Sequence, residues 1–257
     1  MICVFDVGNT NMAVGVYSKQ ELVGHWRIRT DTMRTCDEYA IIISELFCLN
    51  LNGLKLEQID AVVISSVVPT VMMELEWLSA KYFKCKPLIV EAGIKTGLAI
   101  KYENPREVGA DRVVNAVAGF HKYGGPLIIV DFGTATTFCV ISQKGDYLGG
   151  AIAPGIKIST EALVSRAAKL PRVELVKPKS LLGKNTISSI QAGIIYGFVG
   201  QVEGIISRMK KELEFEPRVV ATGGLAGTIA GETDCIDVID DLLTMEGLRL
   251  IYELNRS

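Results

Sequence analysis

The sequence predicts an α/β protein made of two β-meander-plus-α/β modules that face each other across a cleft. The chain has 257 residues, about twice the ~100–150 residues of a typical domain. An internal repeat is the second observation: at an offset of 125 residues, Cys3–Thr10 lies over Ile128–Ala135, and Asp6 coincides with Asp131. The expected modules are therefore residues 1–120 and 121–257.

The pattern of each copy of the repeat predicts an apolar strand, an Asp-x-Gly turn, a second strand, a polar turn and a third strand. The polar turns are Lys19–Glu21 and Lys144–Asp146. At the same offset, the second strands place Val14–Val16 over Cys139–Ile141. Three consecutive strands of this kind form a β-meander, so each half is expected to begin with one.

Further strands and helices complete an α/β module in each half. Ala61–Ser66 and Arg218–Gly224 are apolar runs that end in small or hydroxyl residues, as buried strands do. A Thr-x-x-Glu capping box and a first-turn proline mark two helix starts, and apolar residues at helical spacing mark two more helices. The predicted helices run from Thr35 to about Leu49, from Pro69 to about Phe83, from Asp111 to Tyr123 and from about Ile187 to Met209.

Composition restricts the class of partner. Hydrophobic residues make up 49% of the chain, which is enough for a sizeable core and excludes a disordered protein. Lys plus Arg number 27 against 29 Asp plus Glu, so the net charge of -2 provides no global field for nucleic acid or an anionic membrane. No window reaches the ~18 apolar residues of a membrane span. We therefore expect a cytoplasmic protein that binds small molecules, with no nucleic-acid or membrane partner.

The six cysteines are scattered and lack a Cys-x-x-Cys pair, and only two histidines accompany them. This pattern disfavours a zinc site. Cys3, Cys48 and Cys139 lie within apolar runs, which is typical of buried, reduced thiols in a cytosolic protein.

The two Asp-x-Gly turns are candidates for binding a polyphosphate. In Asp6–Thr10 and Asp131–Thr137, small and hydroxyl residues follow a strand, so backbone N–H groups can approach phosphate oxygens while the carboxylates hold a cation. Ordinary hairpin chemistry is the alternative for either turn alone, and their occurrence in register favours the functional interpretation. No P-loop and no Gly-x-Gly-x-x-Gly turn after a strand is present.

Gly109–Arg112 opens the third predicted helix and is a candidate catalytic segment. The helix N-terminus favours an ionised Asp111 as a general base, and Arg112 can bind an anionic substrate. An ordinary helix cap is the alternative for Asp111. Upstream, the polar and aromatic segment Lys101–Arg106 suits a loop that lines a pocket, although a merely solvated loop fits equally well.

Two groups of glycines indicate close approach of the backbone to a neighbour. Gly149–Gly155 and Thr222–Gly224 follow strands, and the neighbour of the first is either a nucleotide or another strand. Within the fourth predicted helix, Gly193, Gly197, Gly200 and Gly204 indicate a second helix packed closely, either inside the module or across a two-fold dimer axis.

Six motifs occur in one order, and together they resemble the type III pantothenate kinases. They are Asp6-x-Gly-Asn-Thr10, Ser66-x-Val-Pro69, Gly109-x-Asp-Arg112, Asp131-x-Gly-Thr134, Gly149-Gly-x-Ile-x-Pro-Gly155 and Thr222-Gly-Gly224. The resemblance extends from residue 1 to about residue 250. It implies membership of the acetate-kinase, sugar-kinase, Hsp70 and actin superfamily, and hence a duplicated ribonuclease H-like (actin-like ATPase) fold that agrees with the repeat.

The resemblance also implies roles at the two turns. The segment similar to the family's ATP phosphate loop comprises Asp6, Val7, Gly8, Asn9, Thr10, Asn11, Met12 and Ala13. Thr134 is a further expected ATP contact, and Asp6 is the expected carboxylate on the Mg²⁺ side. Asp131 matches the family's monovalent-cation ligand, for K⁺ or NH₄⁺.

Pantothenate is the substrate that the resemblance implies. Its expected binding residues are Tyr102, Gly109, Ala110, Asp111, Arg112 and Thr186. Asp111 would accept the proton of the primary hydroxyl, and Arg112 would lie near the carboxylate. Thr186 matches a residue that the family supplies from the partner subunit, so a homodimer is expected.

The activity implied is ATP-dependent phosphorylation of pantothenate to 4′-phosphopantothenate, the first step of coenzyme A biosynthesis. Two alternatives stay open at this point. A related kinase for another small alcohol or carboxylate would keep Asp6 and Asp131 without needing Gly109–Arg112. A non-catalytic transcriptional accessory factor is disfavoured because the chain has the candidate catalytic residues and lacks a basic helix-turn-helix segment.

Overall fold

The computed structural model describes residues 1–256, which form eleven strands and seven α-helices. The strands are Ile2–Val7 (β1), Asn11–Ser18 (β2), Glu21–Arg29 (β3), Ala61–Ser66 (β4), Leu88–Ile89 (β5), Ala99–Ile100 (β6), Leu127–Phe132 (β7), Ala135–Ile141 (β8), Asp146–Pro154 (β9), Arg218–Thr222 (β10) and Val238–Ile239 (β11). The helices are Cys36–Asn50 (α1), Pro69–Leu78 (α2), Ala110–Tyr123 (α3), Ile156–Arg166 (α4), Thr186–Glu212 (α5), Ala226–Ala230 (α6) and Leu243–Asn255 (α7).

The chain forms two compact units that are not contiguous in sequence. The first contains residues 1–97, 103–118 and those from 243 onward, and the second contains residues 98–102 and 119–242. The division falls inside α3, close to residue 120, and α7 belongs to the first unit although it comes last in the chain.

The first unit is built on a five-stranded sheet of order β3-β2-β1-β4-β5. Strand β1 runs antiparallel to β2 and parallel to β4, which makes it central and buried on both faces. On one face, Phe5 packs in a core with Tyr39 and Ile43 of α1 and Leu75 of α2. Helix α7 packs on β1 and β4, and the Sδ of Met245 lies 2.9 Å from where a Cβ at Gly15 would stand.

The ends of α1 and α2 follow from local sequence signals. Thr35 and Glu38 form the predicted capping box, with Thr35 N donating to Glu38 Oε2 at 2.8 Å. Helix α2 begins at Pro69, as predicted, but ends at Leu78, and Ser79–Phe83 continues as a π-helical turn. This turn anchors the start of α1: hydrogen bonds from Lys81 Nζ and the Tyr82 hydroxyl, 2.8 Å each, lower the pKa of Asp37 to about 2.

The second unit repeats this plan on a sheet of order β11-β10-β7-β8-β9-β6. Strand β7 runs antiparallel to β8 and parallel to β10, as β1 does with β2 and β4. Asp131 pairs with Thr222 where Asp6 pairs with Ser65. The predicted β-meanders and the predicted duplicated ribonuclease H-like fold are therefore confirmed.

The ungapped register of the repeat is wrong over the second strand. Val4 pairs with Gly15, whereas the equivalent Ile129 pairs with Cys139, so the offset between β2 and β8 is 124 residues rather than 125. The turn between β7 and β8 is one residue shorter than its counterpart, and the following hairpin restores the offset. Gly15 therefore corresponds to Cys139, not to Val140.

Helices α3 and α5 confirm the remaining helix predictions, since α3 covers Ala110–Tyr123 and α5 covers Thr186–Glu212. All six cysteines are free, and Cys36 is buried, as are Cys3 and Cys139, which were predicted to be. The predicted burial of Cys48 is wrong, because Cys48 lies on the exposed side of α1, next to the buried Phe47. None of the helices found in residues 1–256 combines the length and apolar character that crossing a membrane requires.

Candidate active site

The first Asp-x-Gly turn joins β1 to β2 and is held by short hydrogen bonds. Gly8 N donates to Asn11 O at 3.0 Å, which closes the turn. Thr30, the residue after β3, donates its hydroxyl to Gly8 O at 2.7 Å and its N–H to Thr10 O at 3.1 Å. Asn9 and Thr10 are exposed at the tip. Thr30 thus fixes a small polar turn at the surface. No local motif in the sequence indicates this role of Thr30.

Asp6 precedes this turn, on the β1 face opposite the Phe5 core. Its register partner on β4 is Ser65, and parallel register places both side chains on one face of the sheet. Ser65 is completely buried, and its hydroxyl has no hydrogen-bond partner among residues 1–256. A buried hydroxyl normally finds a partner, because leaving it unpaired costs about 1–3 kcal/mol. Hydroxyl and carboxylate oxygens together suit a hydrated cation.

The Gly109–Arg112 segment forms the first turn of α3. The helix begins at Ala110, so Asp111 lies inside it rather than at the N-cap. Its Oδ1 accepts a hydrogen bond from Arg112 N at 2.8 Å, whereas an N-cap side chain accepts from an N–H two or three residues ahead. A Cβ at position 109 would lie 2.5 Å from the same Oδ1, so any larger residue at 109 would displace the Asp111 carboxylate. Asp111 is therefore not the N-cap residue, although its Oδ1 accepts from one of the N–H groups of the first helical turn, which the helix backbone does not pair.

Arg112 is buried to 8% exposure, an unusual position for a guanidinium. Its Nη2 donates to the carbonyl of Glu107 at 3.2 Å. Glu107 ends a 3-10 turn that Asn104 organises, because Asn104 Oδ1 accepts from Arg106 N at 3.2 Å and its Nδ2 donates to Glu107 Oε1 at 2.8 Å. The segment before α3 is thus an ordered turn that supports Arg112, not merely a solvated loop.

The second Asp-x-Gly turn joins β7 to β8. Gly133 N donates to Ala135 O at 3.1 Å, and Gly133 and Thr134 are exposed. Gly223 has a φ of +94°, and a Cβ there would lie 2.6 Å from Asp131 Oδ1. Only glycine permits both this backbone conformation and this approach to Asp131.

Gly150, in β9, and Gly155, which follows β9, both approach neighbouring backbone segments. A methyl group at Gly150 would overlap the carbonyl oxygen of Phe138 on β8. One at Gly155, the N-cap of α4, would overlap the carbonyl oxygen of Thr134. Close protein neighbours thus explain why both positions are glycine. Gly155 packs against the turn that contains Thr134.

The other predicted site residues lie on element ends. Tyr102 follows β6, is partly exposed and rests against the buried Tyr147, with ring centroids 6.3 Å apart. Thr186 is the exposed first residue of α5, where Asn185 Oδ1 accepts from Ser188 N at 2.9 Å.

The predicted site residues divide between the two units. The first unit holds Asp6–Ala13 and Gly109–Arg112, and the second holds Tyr102, Asp131, Thr134 and Thr186. Within Asp6–Ala13, the side chains of Val7 and Met12 are buried in the core, so these two residues offer only backbone atoms to a ligand.

Two further features lie away from these residues. A cavity of about 670 Å³ beside α2 is lined by Met72, Trp77 and Lys86, among others, and by none of the predicted site residues. Residues 1–256 contain no group of three or more His, Cys, Asp or Glu side chains arranged to hold a metal ion.

Comparison with known proteins decides the family. A profile described as type III pantothenate kinase matches residues 2–208. A type III pantothenate kinase from Geobacillus kaustophilus strain HTA426 is 62% identical over 255 residues, covering 99% of this chain and 98% of that protein. This chain is a member of the type III pantothenate kinase family. The resemblance based on the six motifs is thereby confirmed.

Solved structures similar to this pantothenate kinase family member extend the likeness to its fold. A protein from Campylobacter jejuni, assigned by its name to the Baf family of transcriptional activators, superposes with a TM-score of 0.62 at 18% identity, covering 98% of both chains. Component A of the (R)-2-hydroxyglutaryl-CoA dehydratase of Acidaminococcus fermentans has a TM-score of 0.57 at 15% identity and full coverage of both chains. At these identities the likeness concerns the fold alone.

Proposed function

We propose that this chain transfers the γ-phosphoryl group of ATP to the primary hydroxyl of pantothenate, giving 4′-phosphopantothenate as the first step of coenzyme A biosynthesis. Membership of the type III pantothenate kinase family supports the reaction. The observation that carries the mechanism is the start of α3, where Asp111 lies inside the first turn rather than at the N-cap and Arg112 is held beside it.

Phosphoryl transfer needs an alcohol oxygen in line with the γ-phosphorus and a group that takes its proton. As the new O–P bond forms, the bond from the γ-phosphorus to the β,γ-bridging oxygen breaks, and a carboxylate oxygen of Asp111 accepts the hydroxyl proton. Arg112 would bind the pantothenate carboxylate, with Gly109, Ala110, Tyr102 and Thr186 completing the binding residues. Positioning and charge neutralisation supply most of the rate enhancement.

ATP and Mg²⁺ fit the residues of the first turn. Exposed Asn9 and Thr10 follow Asp6, and Thr30 prearranges the backbone that would face the phosphates. The buried, unpaired Ser65 hydroxyl beside Asp6 suits a hydrated cation on the ATP side. When bound, Mg²⁺ neutralises charge on the phosphate oxygens. Thr134, at the tip of the second turn, would be a further ATP contact.

A monovalent cation fits the second turn. Asp131 is the penultimate residue of the buried strand β7, and the backbone of Gly223 comes so close to its carboxylate that only glycine fits there. A carboxylate oxygen is a suitable ligand for a cation, and the resemblance to the family assigns K⁺ or NH₄⁺ to Asp131.

ADP release measured by a coupled assay tests the function and the cation together. We expect release in Mg²⁺ and ATP to depend on pantothenate, and to rise at least about tenfold when Na⁺ is replaced by K⁺ or NH₄⁺, because an ion bound at Asp131 would stabilise the turn that carries Thr134, the proposed ATP contact. An analogue of pantothenate without the primary hydroxyl is the matched control and should give no release. Release that is independent of pantothenate, or equal turnover of another small alcohol, would contradict the proposed substrate.

We also propose a homodimer formed through α5. No atom of residues 1–256, apart from the helix's own backbone, lies within 4 Å of a Cβ placed at Gly193, Gly197 or Gly200. The intrachain explanation of these glycines is therefore wrong at three of the four positions. An apolar groove of about 360 Å³ runs along Gly193 and Gly197 beside α4, and Leu163, Ile194 and Phe198 are among the other residues that line it. A second copy of α5 would cover it.

Replacing Gly197 by Arg tests this interface. A long charged side chain on the open glycine face should block close helix packing, so we expect the molar mass by light scattering to fall from two chains to one. Ser44→Arg, on the exposed side of α1, is the matched control and should stay dimeric. A Gly197→Arg variant that remains a dimer would place the interface elsewhere.

A cytoplasmic location without nucleic-acid or membrane partners completes the proposal. The near-neutral charge of -2 and the six free cysteines support it. The Baf name of the C. jejuni protein describes a relative at 18% identity, and no feature of this chain favours a transcriptional role.

A further inference from the structure

Tyr147, on β9, is completely buried, and none of the sequence motifs includes it. It lies at an irregularity of the sheet. Val140 pairs with Gly149, but the next residue of β8, Ile141, pairs with Tyr147, so β9 contains one extra residue, Leu148. This is a β-bulge, a feature that changes the direction of a side chain.

The bulge decides which face of the sheet Tyr147 occupies. Beyond it, Ala151 and Ala153 pack in the same core as Phe138. Regular alternation would place Tyr147 on that face as well, because residues two apart in a strand share a face. Instead, its hydroxyl donates to the Sγ of Cys139 at 3.3 Å, on the opposite face of β8.

Tyr102 is held against this side chain. Strand β6 is only two residues long, and its residue Ile100 pairs with Tyr147. The next residue, Lys101, donates its N–H to the carbonyl of Tyr147 at 2.8 Å. The rings of Tyr102 and Tyr147 then meet edge to face, with centroids 6.3 Å apart and planes at 66°. Aromatic pairs favour this geometry.

Gly149 completes the support. Its φ of +134° is open only to glycine, and a Cβ there would lie 3.9 Å from Cε2 of Tyr102. Tyr102 is partly exposed and follows a strand of only two residues. The ring of Tyr147 and the backbone of Gly149 are the neighbours on which its orientation depends.

We infer that Tyr147 is a positioning residue that holds Tyr102 in the orientation required to bind pantothenate. The inference rests on the proposed function, in which Tyr102 contacts this substrate. Tyr147 touches neither substrate; it acts through the Tyr102 ring and through the backbone bond to Lys101.

Steady-state kinetics of Tyr147→Leu, which removes the ring, test the inference. We expect the KM for pantothenate to rise about three- to tenfold, the range that an aromatic contact corresponds to, with kcat and the KM for ATP unchanged within twofold. Tyr147→Phe keeps the ring and should restore the wild-type KM. A lower kcat at constant KM, or an equal rise in both KM values, would show a general structural effect and overturn the inference.

Two further comparisons separate the possible failures. Lys101 is exposed, and Lys101→Pro removes the N–H that donates to the carbonyl of Tyr147. This variant should raise the KM for pantothenate even if Tyr147→Leu does not fold. Lys101→Ala keeps the N–H and should leave this KM unchanged. An unchanged KM in Lys101→Pro overturns the inference. Tyr102→Ala tests the underlying assignment of Tyr102 to pantothenate binding. If that variant alters no KM, the role of Tyr102 in the proposed function is rejected.

Discussion

Replacing Asp111 by Asn is expected to lower kcat for pantothenate phosphorylation by about 10²–10⁴-fold, the usual contribution of a general base. The amide oxygen of Asn accepts the 2.8 Å hydrogen bond from Arg112 N as the carboxylate does, so the start of α3 should keep its geometry. The amide cannot take the proton of the substrate hydroxyl. Single-turnover kinetics with saturating ATP and pantothenate measure the loss directly.

Asp234→Asn is the matched control, because Asp234 is exposed in the other unit and belongs to none of the predicted sites. It should retain wild-type turnover, and both variants should unfold at the wild-type urea midpoint. Turnover near the wild-type rate in Asp111→Asn would reject Asp111 as the base, and a lowered urea midpoint would assign its loss of activity to folding.

Replacing Gly155 by Ala is expected to have the largest effect on the second unit. The added methyl group overlaps the carbonyl oxygen of Thr134 and lies 2.7 Å from that of Gly133, and backbone atoms cannot move aside as a flexible side chain can. Overpacking of a well-packed site costs about 1–3 kcal/mol, and we expect the upper end here. The loss should appear both in the free energy of unfolding and in ATP affinity, because the displaced turn is the one proposed to contact ATP.

Urea unfolding and calorimetric titration with ATP check this expectation. Gly227→Ala in α6 is the control, because a Cβ there meets no atom within 4 Å among residues 1–256 and alanine favours a helix by about 1 kcal/mol. It should be as stable as the wild type or more so. A Gly155→Ala variant with unchanged stability and unchanged ATP affinity would show that the turn tolerates the displacement.

Most of the secondary structure could be predicted from the sequence because its signals are local. The capping box at Thr35 and the proline at position 69 mark helix starts through their own backbone chemistry. The alternation and length of the apolar runs predicted both meanders and both parallel strands. The end of α2 was less predictable, because hydrogen bonds between Asp37 and the π-helical turn join segments 44 residues apart.

The candidate site was predicted in part. Asp6, Asp131 and Gly109–Arg112 stand in short motifs whose chemistry is readable, and their roles remain proposals. Thr30 and Ser65 were missed because each acts through strand pairing, with Thr30 bonded to Gly8 from 22 residues away and Ser65 beside Asp6 only in the folded sheet. No short motif records such a neighbour.

The sequence by itself determined the duplicated architecture and the family and nominated the side chains proposed to react, since these depend on residue type, order and local periodicity. Only the tertiary structure decided register and surroundings. In the tertiary structure, β8 is displaced by one residue relative to the repeat, and α7 packs on the first sheet. A bulge in β9 places Tyr147 on the same face as Cys139. The tertiary structure also left three glycines of α5 without a neighbour among residues 1–256. These outcomes depend on which distant segments pair and pack, and that choice minimises the free energy of the whole fold rather than of any local segment.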